Sequence, residues 1–170
     1  FQIGMIWALA VTFGIYMTRH LSNAHFNPAV SVAMVLTGRM SAKRLPTYIA
    51  GQFIGSLLGA LTVYGIYGSS IAQYEAKKNI VRGTFESVTT AKMFGEYYNQ
   101  PGGYTISMPL AIAVEALGTF LLVLIIFLFT EGVNVGRPND NTAPILIGLT
   151  VGSLLALLAS ITQAGMNPTR

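Results

Sequence analysis

Two Asn-Pro pairs stand in apolar surroundings, Ser22-Asn23-Ala24-His25-Phe26-Asn27-Pro28-Ala29-Val30 and Thr162-Gln163-Ala164-Gly165-Met166-Asn167-Pro168-Thr169-Arg170. Three stretches long enough to cross a bilayer separate them. Successive crossings alternate in direction, so an odd number brings the two pairs to the bilayer midplane from opposite faces. Asn is a favoured N-cap and Pro a favoured first helical residue, so each pair starts a helix. At membrane depth such an irregular backbone is tolerated only inside protein or beside a water-filled cavity.

The chain belongs in lipid because 52% of its 170 residues are hydrophobic and 9% are charged, too few polar side chains to coat a soluble globule. It has no cysteine, which excludes disulfides and thiolate metal sites and leaves the compartment unreadable from redox chemistry. Of the bases behind the net charge of +4, Arg39, Lys43 and Arg44 cluster in one short connection. The positive-inside rule puts that connection in the cytoplasm. Most other bases alternate with acids, so no nucleic-acid footprint exists.

Residues 1–18 read as a first span, slightly short of the roughly 20 residues a bilayer needs. No charged segment precedes this run and no cleavage site follows it, which argues against a signal peptide. Residues 27–37 are apolar but only half a span long, which fits a re-entrant helix. Residues 45–68 form a full span whose Ala50, Gly51, Gly55, Gly59 and Ala60 suit close packing against other helices. Residues 69–107 are polar and read as a long exposed connection shaping an entrance. Residues 109–130 and 143–161 are two further spans, joined by a polar turn. With Arg39 inside, the segment after Asn27 returns to the cytoplasmic side and the one after Asn167 descends from the outside. The expected fold class is therefore an all-α membrane protein, an inverted-repeat bundle whose two re-entrant half-helices meet at midplane.

Each helix start carries roughly half a positive charge from unpaired N–H groups, so two that meet repel protons and metal cations. The Asn27 and Asn167 amides can each donate to a passing oxygen while remaining uncharged. The peptides before each start, from Asn23 through Ala24 and His25 to Phe26, and from Gln163 through Gly165 to Met166, are expected to be extended and to present a ladder of carbonyls. Such a ladder offsets the cost of stripping water from a solute hydroxyl, while an apolar wall accommodates its carbons. A small neutral hydroxylated solute fits.

Ala24-His25-Phe26-Asn27-Pro28-Ala29-Val30 and Gly165-Met166-Asn167-Pro168-Thr169-Arg170 resemble the two motifs of the aquaporin, or major intrinsic protein, family. Likeness to its glycerol-facilitator (aquaglyceroporin) branch runs through Ile6-Trp7-Ala8-Leu9, Ile80-Val81-Arg82-Gly83-Thr84-Phe85-Glu86-Ser87-Val88, Ala113-Val114-Glu115 and Ala143-Pro144-Ile145-Leu146-Ile147-Gly148-Leu149. The resemblance implies one partial channel domain over residues 1–170, cut at both ends. Residues 1–68 are a half-repeat without its first span, 69–106 an outer loop, and 107–170 a half-repeat without most of its half-helix and its last span. It implies a passive channel for glycerol and similar small polyols, with water, in a multi-pass plasma-membrane protein that assembles as a homotetramer. A mainly water-selective channel and an ion-coupled transporter are the alternatives.

By the same resemblance the pore waist is Asn27 and Asn167 and the selectivity filter is Trp7, Leu155, Ala164 and Arg170. Leu155 stands where glycerol facilitators commonly have Gly, and Ala164 replaces a bulky aromatic, so the filter matches neither standard type. Asn23 stands where the family usually has Gly, and Thr169 where it usually has Ala. Trp7 also fits an interfacial aromatic belt, and Arg170 a frayed terminus. Val11 continues the apolar pore wall of Trp7 one turn on, and Val151 offers a second wall or a packing contact. Glu115, an acid within a span, is either a proton relay or, as the resemblance implies, an acceptor bracing the loop before Asn167. Gln52 is its counterpart for the first loop. His25 reads as a hydrogen-bonding brace, a gate or a metal ligand. No His, Cys and acid cluster, activated nucleophile or phosphate loop is present, so neither enzyme chemistry nor a metal or cofactor is expected.

Overall fold

The apolar runs fold as helices. The structure, a computed structural model, describes residues 2–170; Phe1, where the first apolar run begins, lies outside them. Among the described residues six α-helices follow one another: α1 (Gln2–Thr18), α2 (Pro28–Leu36), α3 (Leu45–Lys78), α4 (Val88–Ala91), α5 (Met108–Thr130) and α6 (Ala143–Thr162). The segment Ala42–Lys78 and helices α5 and α6 are long and apolar enough to cross a membrane, and α1 is a shorter apolar helix. The chain is thus an integral membrane protein by its helices.

Local chemistry sets the helix ends. The Asn27 side chain accepts from the Ala29 N–H at 2.9 Å, and Pro28 supplies the preset φ of a first helical residue, so α2 starts there. Ser107 caps α5 in the same way, with Pro109 just inside. Helix α3 runs ten residues past Gly68, to Lys78, into the connection read as a loop from residue 69. The added residues Ser69-Ser70-Ile71-Ala72-Gln73-Tyr74-Glu75-Ala76-Lys77-Lys78 contain neither Gly nor Pro and include good helix formers. Their polarity signals exit from the apolar layer without ending the helix. Asn79, in the left-handed region at φ 52°, ends it.

Helix α1 packs on α6 through a stripe of small residues. Gly4, Ala8 and Thr12, each one turn apart, face Gly148 and Gly152. A Cβ added at Gly152 would lie 2.5 Å from the Gly4 carbonyl oxygen, and one added at Gly148 would overlap the Ala8 carbonyl and the Thr12 hydroxyl. Thr12 Oγ1 donates to the Ala8 carbonyl at 2.8 Å and reaches the Pro144 carbonyl at 3.3 Å, tying the helices where their backbones are closest. Close backbone approach is how helices associate in lipid, which gives no hydrophobic reward for pairing. The small residues of α3 make no such contact, for a Cβ at Gly51, Gly55 or Gly59 would meet nothing within 4 Å. The glycine-mediated crossing belongs to α1 and α6.

Helix α5 completes a core on the other side of α6. Val114 and Leu122 pack with Leu154, Leu155 and Leu158, and Ala164 and Met166 from the segment after α6 fill the same cluster. Gly118 admits Leu158 and Met166, which a Cβ there would meet at 2.8 and 3.0 Å. Polar contacts fix the connections. Arg39 pairs with Glu131 and lies 4.4 Å over the Phe127 ring, and Arg19 donates to the Asp140 carbonyl at 2.6 Å. Glu75 accepts from Arg82 at 2.9 Å and from Thr90 at 2.7 Å, folding the start of the α3–α5 connection back on its helix.

Candidate functional site

The two Asn-Pro segments meet side by side. Asn27 Nδ2 donates to the Met166 carbonyl at 2.7 Å, and Asn167 Nδ2 donates to the Phe26 carbonyl at 3.0 Å, so each motif holds the other reciprocally. Each Asn oxygen is taken up locally. Asn27 Oδ1 accepts from Ala29 N–H, and Asn167 Oδ1 accepts from Thr169 N–H at 3.1 Å. A side-chain amide has two N–H bonds, so each Asn keeps one after gripping the opposite strand.

The peptides before the two starts are not extended. Ala24 and Phe26 have φ of 49° and 53°, and their counterparts Ala164 and Met166 have 56° and 47°. Non-glycine residues in the left-handed region cost about 1–3 kcal/mol each, so the surrounding bonds must impose this conformation. They do so in duplicate: Ala24 N–H donates to Ser22 Oγ at 3.1 Å, and Ala164 N–H to Thr162 Oγ1 at 3.4 Å. The match of Ser22 with Thr162, Ala24 with Ala164, Phe26 with Met166 and Asn27 with Asn167 is an internal repeat written in hydrogen bonds. Two carbonyls of the ladder, Phe26 and Met166, already accept from the asparagines, each with one lone pair left.

The flanking supports differ between the copies. Glu115 Oε1 accepts from Gly165 N–H at 3.0 Å and Oε2 from Met166 N–H at 2.6 Å, so one carboxylate braces the second loop with both oxygens. Charge-assisted bonds of this kind are roughly twice as strong as neutral ones. Gln52 acts through an intermediary. Its Nε2 donates to Ser31 Oγ at 2.9 Å, Ser31 Oγ lies 3.0 Å from His25 Nδ1, and Ser31 donates to the Asn27 carbonyl at 3.2 Å. His25 packs 4.9 Å from the Tyr48 ring, and Asn23 N–H donates to the Tyr48 hydroxyl at 3.2 Å. His25 is therefore a member of a hydrogen-bonded brace. Among the described residues no three His, Cys, Asp or Glu side chains gather as metal ligands.

A cavity of about 330 Å³ runs past this junction. One wall is a single column of α1, Trp7, Val11 and Ile15, each one turn beyond the last, continued by Arg19 just past the helix end; Val151 and Ile147 of α6 also line the cavity. Polar surface near the junction comes from Asn23 to Asn27, from Gly165 to Asn167 and from Arg170, and Arg19, Thr130, Arg137 and Asp140 line the cavity as well. Arg170 lies with its guanidinium carbon 4.0 Å above the Trp7 ring and forms an ion pair with Glu96. Gln163 Oε1 accepts from Tyr97 N–H at 2.8 Å beside this pair.

Leu155 and Ala164, expected at the filter, are placed in the core and not on the cavity. Leu155 is 6% exposed and Ala164 0%, both within the α5–α6 cluster. The physical reason is apolar burial. Leu155 and Ala164 share one buried cluster with Val114, Leu122 and Met166, and removing their apolar surface from a polar cavity is favourable. Sequence reading missed three groups here. Ser22 and Thr162 were detectable, each lying five residues before its Asn, whereas Glu96 had no signal that set it apart from other acids of its connection.

Two Asn-Pro segments that grip each other beside a cavity, within apolar helices related by an internal repeat, define an inverted-repeat helical membrane protein. Comparison with known sequences narrows the class. The chain belongs to the major intrinsic protein family, whose model matches residues 1–170. It is 35% identical over 169 residues to the glycerol uptake facilitator protein of Pseudomonas aeruginosa, covering 99% of this chain and 59% of that protein. It is 36% identical over 169 residues to the glycerol uptake facilitator protein of Escherichia coli K12, covering 99% of this chain and 58% of that one. The solved structure of the aquaglyceroporin from Plasmodium falciparum superposes with a TM-score of 0.75 at 27% identity, covering 96% of this chain and 60% of that chain. The chain thus spans about three fifths of the length of these relatives.

Proposed function

We propose that the protein is a passive channel for glycerol and similar small neutral solutes, with water, and that it excludes protons and other ions. The observation that carries this reading is the opposed pair Asn27 and Asn167, each with one amide N–H left after gripping the other motif. A solute oxygen passing the junction is offered two uncharged donors from helix starts whose partial charges repel cations. Glycerol fits because the opposite wall, Val11, Ile15, Ile147 and Val151, is apolar and suits a carbon backbone. The names of the relatives, glycerol uptake facilitators among them, point the same way.

In this reading Trp7 and Arg170 form the narrow end, with Leu155 and Ala164 backing them from the core. The free carbonyls from Asn23 to His25 and from Gln163 to Gly165 carry the solute to the waist. Arg39, Lys43 and Arg44 lie on the cytoplasmic side, residues 69–106 lie outside, and the protein sits in the plasma membrane as a homotetramer with one pore in each subunit.

The test is the full-length protein in lipid vesicles, with water and glycerol permeability measured side by side. Glycerol flux above empty vesicles, unaffected by proton or sodium gradients, is the expected result. Flux of neither solute would sink the reading, water alone would favour the water-selective alternative, and saturable ion-dependent uptake would favour a transporter. Trp7→Ala removes the flat face on which Arg170 rests, and a stack of this kind contributes about 0.5–2 kcal/mol. Polyols larger than glycerol should then pass faster relative to glycerol; an unchanged ranking in a polyol series would assign Trp7 to the membrane interface instead.

A further inference from the structure

We infer that Glu96, from the α3–α5 connection, is a specificity-determining residue of the pore, holding Arg170 against Trp7 and cancelling its charge. The inference rests on the channel reading. Glu96 pairs through Oε1 with Arg170 Nη2, and the two side chains are 14% and 24% exposed. Its Oε2 is buried without a partner. Its stem fills the space beside Gly165, where a Cβ would come within 3.2 Å of Glu96 Cγ. The next residue is fixed too, since Tyr97 N–H donates to Gln163. The connection therefore touches the second Asn-Pro segment at Gln163, at Gly165 and at Arg170 itself.

The consequence is electrostatic and geometric. A lone guanidinium beside the cavity would add a full positive charge to the partial positive charge at the start of α2. Paired with Glu96, it adds none at long range, and one of its N–H groups is withdrawn from the solute. Its plane lies over Trp7, so the groups that remain have a fixed direction. Neutralising Glu96 releases an N–H and a net charge, and every passing oxygen then meets a different guanidinium. Water, which interacts only by hydrogen bonds, and glycerol, which also touches the apolar wall, respond unequally.

The charged groups facing Glu96 are Arg170 from the segment after α6 and Glu115 from α5; α1 presents the uncharged Trp7, and Tyr97 and Tyr98 are the titratable neighbours in its own connection. Burial pushes the Glu96 carboxyl above the ordinary carboxylate range, Arg170 opposes this and Glu115 adds to it. As pH falls, Glu96 thus takes up a proton sooner than an ordinary carboxylate would, and the ion pair is lost.

The test compares wild type with Glu96→Gln and Glu96→Asp in the full-length protein in vesicles, reading the ratio of water to glycerol permeability between about pH 7 and pH 4. Gln keeps the size of Glu96 while removing its charge, so the fold is retained, as thermal unfolding in detergent will check. At neutral pH, Glu96→Gln should shift the ratio by about threefold or more. Wild type should drift toward the same ratio as pH falls, the Gln variant should stay flat, and the Asp variant should keep a pH dependence. A wild-type ratio in the Gln variant, or a pH response that survives in it, overturns the inference. Loss of all flux in wild type would instead strike the channel reading.

Discussion

Gly148→Val is expected to abolish the folded protein in detergent and with it any flux. The substitution drives a branched side chain into the Ala8 carbonyl and the Thr12 hydroxyl, and a backbone carbonyl cannot step aside as a side-chain tip can. Helices α1 and α6 would have to separate along the stripe that also contains Gly4 and Gly152. Overpacking a tight contact costs about 1–3 kcal/mol and occasionally more, and the top of that range applies where backbone is the obstacle. The parting also pulls the Trp7 column off the face carrying Val151, so the cavity loses a wall. Thermal unfolding and vesicle permeability measure the two effects. A melting temperature equal to wild type would show that the crossing is not as close as the structure has it. Gly51→Val is the matched control, since a Cβ there meets nothing within 4 Å.

Glu115→Ala is expected to remove most of the flux while leaving the helices folded. Gly165 and Met166 would lose the acceptors of both N–H groups at once, at about 1–3 kcal/mol for each unsatisfied buried amide. Met166 is held at φ 47°, a conformation that relaxes once its N–H is released. Its carbonyl is the acceptor for Asn27, so the junction of the two Asn-Pro segments loosens as well. Glu115→Gln keeps one acceptor oxygen and should retain partial flux. Permeability normalised to protein in the membrane, with circular dichroism as the control, separates the outcomes. Full flux in the alanine variant would mean that the loop holds its shape without the carboxylate, and a proton relay through Glu115 would need to be reconsidered.

Much of the architecture was legible in the chain. The Asn27-Pro28 pair named the start of α2, because capping is chemistry between neighbours and needs no tertiary partner. The odd number of spans made the two starts oppose each other. Trp7 and Val11 were readable as one wall because one helical turn separates them, and Ile15 and Arg19 continue the same column. The brace at Glu115 was readable because an acid within an apolar span must have a partner.

Other features were legible only in part. The polar residues after Gly68 marked the edge of the apolar layer, but helix propensity carried α3 on to Lys78. The glycines of α3 looked like a packing face, yet the closest approach is between α1 and α6. Composition gives small residues without saying which other backbone is present. Leu155 and Ala164 were assigned by position in a motif, whereas burial is decided by what surrounds the position.

By itself the sequence determined the helices, their caps and the pairing of two Asn-Pro segments in apolar surroundings, all of which follow from short-range bonding and from the demand that lipid makes on exposed backbone. Only the tertiary structure decided how each motif grips the other. It bent the two loops into left-handed residues that no local preference would choose, and it brought Glu96 onto Arg170. Those contacts join residues far apart in the chain, and their energies exist only once the helices have set the distances.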